Sequence, residues 1–336
     1  MKKGQFAPRG PVPGLWFNEL VNTSMDLVFC GTPQFAVPTL ERLAESGCKI
    51  HLVLTQPDRP KGRGMELMAS PLKRAAERLG IPVYQPEKIK QNEELRARLT
   101  EIRPQAIIVV GYGRIIPPWM LDLPKFGNLN LHASLLPKYR GAAPIQWAIA
   151  NGEASTGVTT MRIDEGLDTG DILLQQELPI FDEDTSETLA PRLAALGAEL
   201  MLETLRGLEA GTITPSPQDN SLASLAPILK KEDGRVDFQG SAQEISNRLR
   251  GFQPWPGAFT TFRGKNLNVT AAKPFTQESL QLSPAELVFK DQQLLVGCGD
   301  GTTLKLLEVQ PQGKKRMTAG DFVRGYRPQA EERLGT

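Results

Sequence analysis

Asn130 and His132 stand two residues apart at the end of the apolar run Leu129 to Leu131, and the chain has only one other histidine. In a strand, alternation places both side chains on one face. Behind them Ser134-Leu135-Leu136-Pro137, followed by Lys138-Tyr139-Arg140-Gly141, cannot continue a sheet and reads as a tight ordered loop. An amide that donates, an imidazole that changes charge near neutrality and a loop offering backbone groups are parts of an acyl-transfer site. The same pattern equally suits a histidine that caps a strand and packs in a core. Further on, Asp164-Glu165-Gly166-Leu167-Asp168-Thr169-Gly170-Asp171 gathers carboxylates in a turn whose spacing fails that of an EF-hand. It reads either as a solvated hairpin tip or as the source of a carboxylate that returns to His132 as acid/base partner. The stretch Gln56 to Met65 lacks apolar periodicity and carries Arg59, Lys61 and Arg63. A solvated connector and a flexible grip on a phosphate backbone are both open for it.

The elements that must position these groups follow from periodicity. Asp26 to Cys30 is a strand running into Gly31-Thr32-Pro33 and a helix from about Gln34, with Gly47 as its stop; Ile50 to Thr55 is the next strand. This β-α-β opening predicts a parallel, right-handed crossover and a cleft at the carboxyl ends of the strands. Gly31-Thr32-Pro33 is not a dinucleotide fingerprint. Ser70-Pro71 starts a helix that Gly80 ends, and Asn92 to Leu99 is a polar helix. Ala106 to Val110 is apolar throughout and is expected as a central buried strand ending at Gly111-Tyr112-Gly113-Arg114-Ile115. The strand Asn128 to His132 is expected beside it, so both segments converge on one edge. A helix Pro144 to Ala150, strands Gly157 to Ile163 and Ile172 to Leu178, and a long helix to Leu208 complete this part.

The chain of 336 residues exceeds one ordinary core, so two domains are expected. Residues 25–211 form the first and 230–330 the second, with the Pro/Ser/Asn-rich 212–229 as a linker. Residues 1–24 read as a flexible extension, or as lying upstream of a start at Met25. Beyond Lys230, one helix and a series of short strand-like runs separated by turn residues predict a small barrel of the oligonucleotide-binding type. The fold class is therefore α/β: a Rossmann-like, mostly parallel sheet followed by a small β-barrel. From Lys230 onward the net charge is +4, and Lys314-Lys315-Arg316 form a basic run, compatible with RNA. An overall net charge of +1 argues against bulk coating of nucleic acid. Cys30, Cys48 and Cys298 show neither pairing nor metal spacing, and with two histidines no metal site is expected. That favours a reducing compartment, with the cytoplasm as the expectation, and no apolar run is long enough to span a membrane.

Asn130-x-His132, Ser134-Leu135-Leu136-Pro137 and Gly166-Leu167-Asp168-Thr169-Gly170-Asp171 together resemble the folate-dependent formyltransferases. The Asn/His/Asp set is shared with members acting on glycinamide ribonucleotide and on sugar nucleotides. Gln56-Pro57-Asp58-Arg59-Pro60, Arg140-Gly141-Ala142-Ala143-Pro144, Lys230-Lys231-Glu232-Asp233-Gly234 and Pro254-Trp255-Pro256 resemble the members acting on initiator methionyl-tRNA. The resemblance implies transfer of the formyl group of 10-formyltetrahydrofolate to the α-amine of tRNA-bound methionine, by a monomer and without a metal. It makes Asn130, His132 and Asp168 the catalytic set and puts Ser134, Leu135, Leu136 and Pro137 against folate. It also implies a pterin pocket lined by Gly111, Tyr112, Gly113 and Ile115. Arg59, Lys61 and Arg63, with Lys314, Lys315 and Arg316, would face tRNA. Met65-Glu66 stand where the family often carries a Lys-Lys pair.

Overall fold

The computed structural model describes residues 24–61, 66–276, 280–329 and 332–336, so the extension and Arg63 lie outside the described residues, Ser24 apart. The chain opens with β1 (Asp26–Gly31), α1 (Val37–Glu45) and β2 (Lys49–Leu54). A short ladder, β3 (Arg59–Lys61) with β4 (Glu66–Met68), pairs Arg59 with Met68 and Pro60 with Leu67. The basic stretch expected to be irregular thus has an antiparallel stem. Next come α2 (Pro71–Arg78), β5 (Val83–Tyr84), α3 (Glu93–Ile102), β6 (Ala106–Val110), α4 (Pro118–Leu121) and β7 (Asn128–His132). Then follow β8 (Arg140–Gly141), α5 (Pro144–Ala150), β9 (Ser155–Arg162), β10 (Ile172–Pro179) and α6 (Ser186–Ala210).

Seven strands form one sheet in the order β10-β9-β7-β6-β1-β2-β5, parallel from β7 to β5 and antiparallel at β9 and β10. The apolar strands are buried on both faces, as the absence of alternation in β6 requires. Leu27, Phe29, Ile108 and Val110 pack with the apolar stripes of α1 and α6, while Val28, Cys30, Ile107 and Val109 pack with Leu95 and Leu99 of α3. Local signals set the helix ends. Ser70 Oγ accepts the Lys73 N–H at the start of α2, Thr185 caps α6, and Gly211 at φ 68° stops it.

Residues 212–229 do not run free. Ser216 exchanges both backbone hydrogen bonds with Ile172, and β11 (Leu225–Ala226) pairs in parallel with β8. The second unit holds α7 (Ala242–Gly251), β12 (Ala258–Phe262), β13 (Lys265–Pro274), β14 (Leu287–Lys290), β15 (Gln293–Gly297), β16 (Thr303–Pro311), β17 (Met317–Thr318) and α8 (Ala319–Tyr326). Its antiparallel sheet runs β12-β13-β16-β15-β14, with β17 on β16. The last residues bridge the two edges, Leu334 N–H donating to Ala285 and Gly335 N–H to Thr261 beside β14 and in β12. This is the β-rich second unit expected from the spacing of short strands. Sequence periodicity missed α8, whose Phe322 fills the barrel-side core against Phe262.

Helix α7 joins the two units. A Cβ on Gly251 would lie 2.6 Å from the Gln146 carbonyl oxygen, so glycine permits the close crossing of α5 and α7. Phe252 then meets Trp147 edge to face at 5.2 Å. The Ser186 hydroxyl donates to the Gly251 and Gln253 carbonyls, and Arg250 Nη1 donates to the Asp184 carbonyl at 2.8 Å.

Candidate active site

Strands β1, β6 and β7 end together at one edge of the sheet: Gly31 pairs with Val110, and Val109 with Asn130. His132 is the last residue of β7 and pairs with Thr159 of β9. Past it the chain turns through Ser134 to Pro137. This loop is held from below: the Thr159 hydroxyl donates to the Ser134 carbonyl at 2.6 Å and accepts the Leu136 N–H at 3.2 Å. Gln175 of β10 donates to the Leu136 carbonyl at 2.8 Å. The side chains of Ser134 and Leu136 point inward, Ser134 Oγ closing the loop on the Lys138 carbonyl at 2.6 Å, while Leu135 and Pro137 stay half-buried.

The loop returns the Tyr139 carbonyl to the imidazole, 2.9 Å from His132 Nε2. A carbonyl only accepts, so Nε2 carries a proton. The other nitrogen, Nδ1, faces Asp168 Oδ2 at 3.6 Å. At 3.6 Å the carboxylate lies within ion-pair but not hydrogen-bond distance of Nδ1, so that nitrogen remains available towards the site. The ring is only 6 % exposed and the Asp168 side chain 19 %, so water screens this pair weakly. Burial also pushes the Tyr139 phenol up to about 12, which keeps it a neutral donor to Glu153 at 2.8 Å.

Asp168 arrives from the loop between β9 and β10. Asp164 braces that loop by accepting from the Gly166 N–H at 3.0 Å and the Thr169 hydroxyl at 2.8 Å. A Cβ on Gly170 would collide with the Arg162 carbonyl oxygen, so the loop passes tightly under the end of β9. Asp168 itself is left-handed at φ 52°. Its Oδ2 accepts the Gly141 N–H at 2.9 Å. Gly141 sits at φ 123°, and a Cβ there would lie 2.6 Å from the Ala226 carbonyl oxygen, so only glycine presents its N–H this way. Asn130 shares the His132 face of β7 and is half-buried; among the described residues its amide makes no side-chain hydrogen bond. The geometry brings His132 and Asp168 together and leaves the Asn130 amide available on the same face.

On the neighbouring strand end, Gly111 and Gly113 at φ 57° and 74° expose their backbone, and Ile115 is 90 % exposed. Tyr112 behaves differently. Its ring is 2 % exposed and packs in the core, leaving its backbone carbonyl to accept from Gln56 Nε2 at 3.0 Å. Gln56 also accepts from Arg114 Nε at 3.1 Å, so the base of the basic hairpin is tied to this loop. Asp58 takes Lys73 Nζ at 2.6 Å and Gln85 Nε2 at 2.7 Å, and those hydrogen bonds hold its carboxyl below the usual range. Arg59 is exposed on β3, and Lys314, Lys315 and Arg316 are exposed in the turn before β17, Arg316 lying 3.5 Å from Glu308. Lys61 belongs to β3 by backbone only, and Arg63 is outside the described residues.

A cavity of about 650 Å³ opens between α5, α7 and residues 233–237, and its lining includes none of Asn130, His132 and Asp168. Among the described residues no three His, Cys, Asp or Glu side chains gather as metal ligands, and no helix is long and apolar enough to cross a membrane. Nothing local in the sequence marks Arg140, Thr159, Gln175 or Gln218 as site residues. Each acts through a partner distant in the chain, and only the Gly-rich motifs around Gly141 and Gly170 hint at close approaches there.

The formyl transferase family model matches residues 25–205, and the model for the formyl transferase C-terminal domain matches residues 228–327. The methionyl-tRNA formyltransferase of Koribacter versatilis is 65 % identical, over 93 % of this chain and 99 % of that protein. That of Acidobacterium capsulatum is 60 % identical over 93 % of this chain and its own full length. Among solved structures, an N-formyltransferase from Helicobacter canadensis, in complex with folinic acid and dTDP-3-aminofucose, superposes with a TM-score of 0.62. It is 20 % identical, covering 85 % of this chain and 99 % of its own, and shows the shared fold. From end to end of the described sheet and barrel, then, the chain belongs to the formyl transferase family, in the group of the methionyl-tRNA formyltransferases.

Proposed function

We infer that the chain transfers the formyl group of 10-formyltetrahydrofolate to the α-amine of methionine on initiator methionyl-tRNA, acting as a monomer in the cytoplasm. The reading divides the chain into a formyltransferase domain over 25–211, the joining segment 212–229 and a tRNA-binding domain over 230–330. The observation that carries it is His132 Nδ1 lying 3.6 Å from Asp168 Oδ2, across two distant segments, beside an amide with no side-chain partner among the described residues.

The residues present fit a pterin. The exposed backbone of Gly111 and Gly113 offers donors and acceptors to a planar heterocycle, and Ile115 offers an apolar face. The bound folate would supply an electrophilic formyl carbon. Asn130, and His132 through the Nδ1 that no hydrogen bond occupies, donate to the oxygen on which charge develops as the amine adds. Asp168 faces the ring as its acidic partner and takes the amine proton, directly or through a water; the proton then passes to the departing nitrogen. Ser134 to Pro137 shape the wall beside the formyl group through the partly exposed Leu135 and Pro137. Arg59, Lys61 and Arg63 of the basic stretch and Lys314, Lys315 and Arg316 of the second unit meet the tRNA backbone.

Incubation of the purified chain with methionyl-initiator tRNA and 10-formyltetrahydrofolate is expected to yield N-formylmethionine. Formylation of an amino-sugar nucleotide in place of the charged tRNA would overturn the substrate assignment.

A further inference from the structure

The segment between α6 and α7 reaches the Asp168 turn through Gln218. Gln218 Nε2 donates to the carbonyl oxygens of Asp168 and Gly170, each at 2.8 Å. Its Oε1 accepts from Arg140 Nε at 3.0 Å and Nη2 at 2.7 Å. All four hydrogen-bonding positions of the amide are used. Arg140 is 7 % exposed and its Nη2 also donates to Asn220 Oδ1 at 2.9 Å, yet no carboxylate lies within ion-pair distance of it among the described residues. A buried guanidinium with only amide oxygens for partners is a costly arrangement. It does one thing a neutral group would not: having no acceptor, it admits only Oε1 of the glutamine and so turns Nε2 towards the Asp168 turn.

That turn needs holding. Asp168 is left-handed at φ 52°, and the same residue must aim Oδ2 at both the Gly141 N–H and the His132 ring. The Ser216 and Ile172 backbones are paired just beyond it, so the joining segment is registered on the loop from two points. We propose that Gln218, oriented by the buried Arg140, is a positioning residue for Asp168, making the segment that joins the two domains a structural part of the active site. The proposal rests on the reading of Asp168 as the acid/base carboxylate.

The test uses the full-length chain and Q218E. A carboxylate of the same shape pairs with Arg140, yet turns an oxygen towards two carbonyl oxygens and so breaks only the Asp168 side of the strut. The expected result is a Tm at or above that of the parent, KM values for both substrates within about twofold, and kcat lowered on the order of 10- to 100-fold, the scale of an ångström misplacement. In parallel, R140M/Q218M removes the charge and the strut together and should lose kcat to a similar degree. Its acidic limb of kcat/KM against pH should move, a readout that a merely structural role would leave in place. A folded Q218E with kcat within twofold of the parent overturns the proposal; if Q218E does not fold, the same kcat in R140M/Q218M overturns it. D168N measured beside them separates the two claims. Full turnover in D168N sinks the role of Asp168, whereas a dead D168N with an active Q218E sinks only the positioning role.

Discussion

His132 has one nitrogen fixed as a donor by the Tyr139 carbonyl and the other turned to Asp168, and Asn130 projects from the same face of the strand. On the proposed reading each turns towards a developing oxyanion, Asn130 through its amide and His132 through Nδ1, which makes no hydrogen bond among the described residues. His132→Ala and Asn130→Ala are expected to lower kcat about 10² to 10³-fold, the usual cost of one missing donor. The KM for 10-formyltetrahydrofolate should change little. Initial rates of N-formylmethionine formation, with folate affinity measured separately by fluorescence, check both variants; a ten-fold loss of folate affinity with unchanged kcat would reverse the assignment from catalysis to binding.

At the scale of elements, the site depends on loops that approach backbone closely. Gly170→Ala would push a methyl into the Arg162 carbonyl and displace the Asp168 turn. Overpacking of this kind typically costs about 1–3 kcal/mol. A lower urea midpoint together with a kcat loss larger than the loss of folded protein is expected; full activity in the folded fraction would show that the turn tolerates the shift. Strand β7 was legible from its alternation, which put Asn130 and His132 on one face, and β6 from its unbroken apolar run. The antiparallel stem of the basic hairpin was not, because three-residue strands containing Pro60 carry no period. Nor was the use made of Gln218. Its partners Arg140, Asp168 and Gly170 lie far away in sequence, and a Pro/Ser/Asn-rich stretch looks the same whether it drifts or is strapped to a loop. The resemblance led to the expectation that Gly111 to Ile116 present backbone groups, and Tyr112 has its ring in the core and its carbonyl hydrogen-bonded to Gln56.

Across the whole molecule, α7 and the capped start of α6 fasten the barrel to the sheet, and Asp184 lies at that seam. Burial alone would raise its carboxyl, but the Phe181 N–H, Arg192 and Thr188 outweigh it and hold it below the ordinary value. The unfolded chain then binds more protons than the folded one in acid. The stability from Asp184 is complete above the ordinary carboxylate value of about 3.9 and is lost as pH falls through the lowered folded value. Asp184→Asn should lower the urea midpoint at pH 7 and flatten its decline between about pH 5 and pH 2; an acid limb as steep as that of the parent would contradict this. The exposed cations sit on separate units, Arg59 on the hairpin and Lys314 and Lys315 on the barrel. If both units hold one tRNA, replacing Arg59 or the lysine pair with Ala should each weaken tRNA binding and make its salt dependence shallower, by about one unit of log–log slope for each phosphate no longer neutralised. An unchanged slope would remove that residue from the interface. The most direct test of the catalytic assignment is a single-turnover reaction of the full chain and D168N with saturating 10-formyltetrahydrofolate and methionyl-initiator tRNA. The arrangement of His132 and Asp168 predicts N-formylmethionine from the parent and a rate at least about 10²-fold lower in D168N with tRNA still bound; a D168N rate within a few-fold of the parent would contradict it.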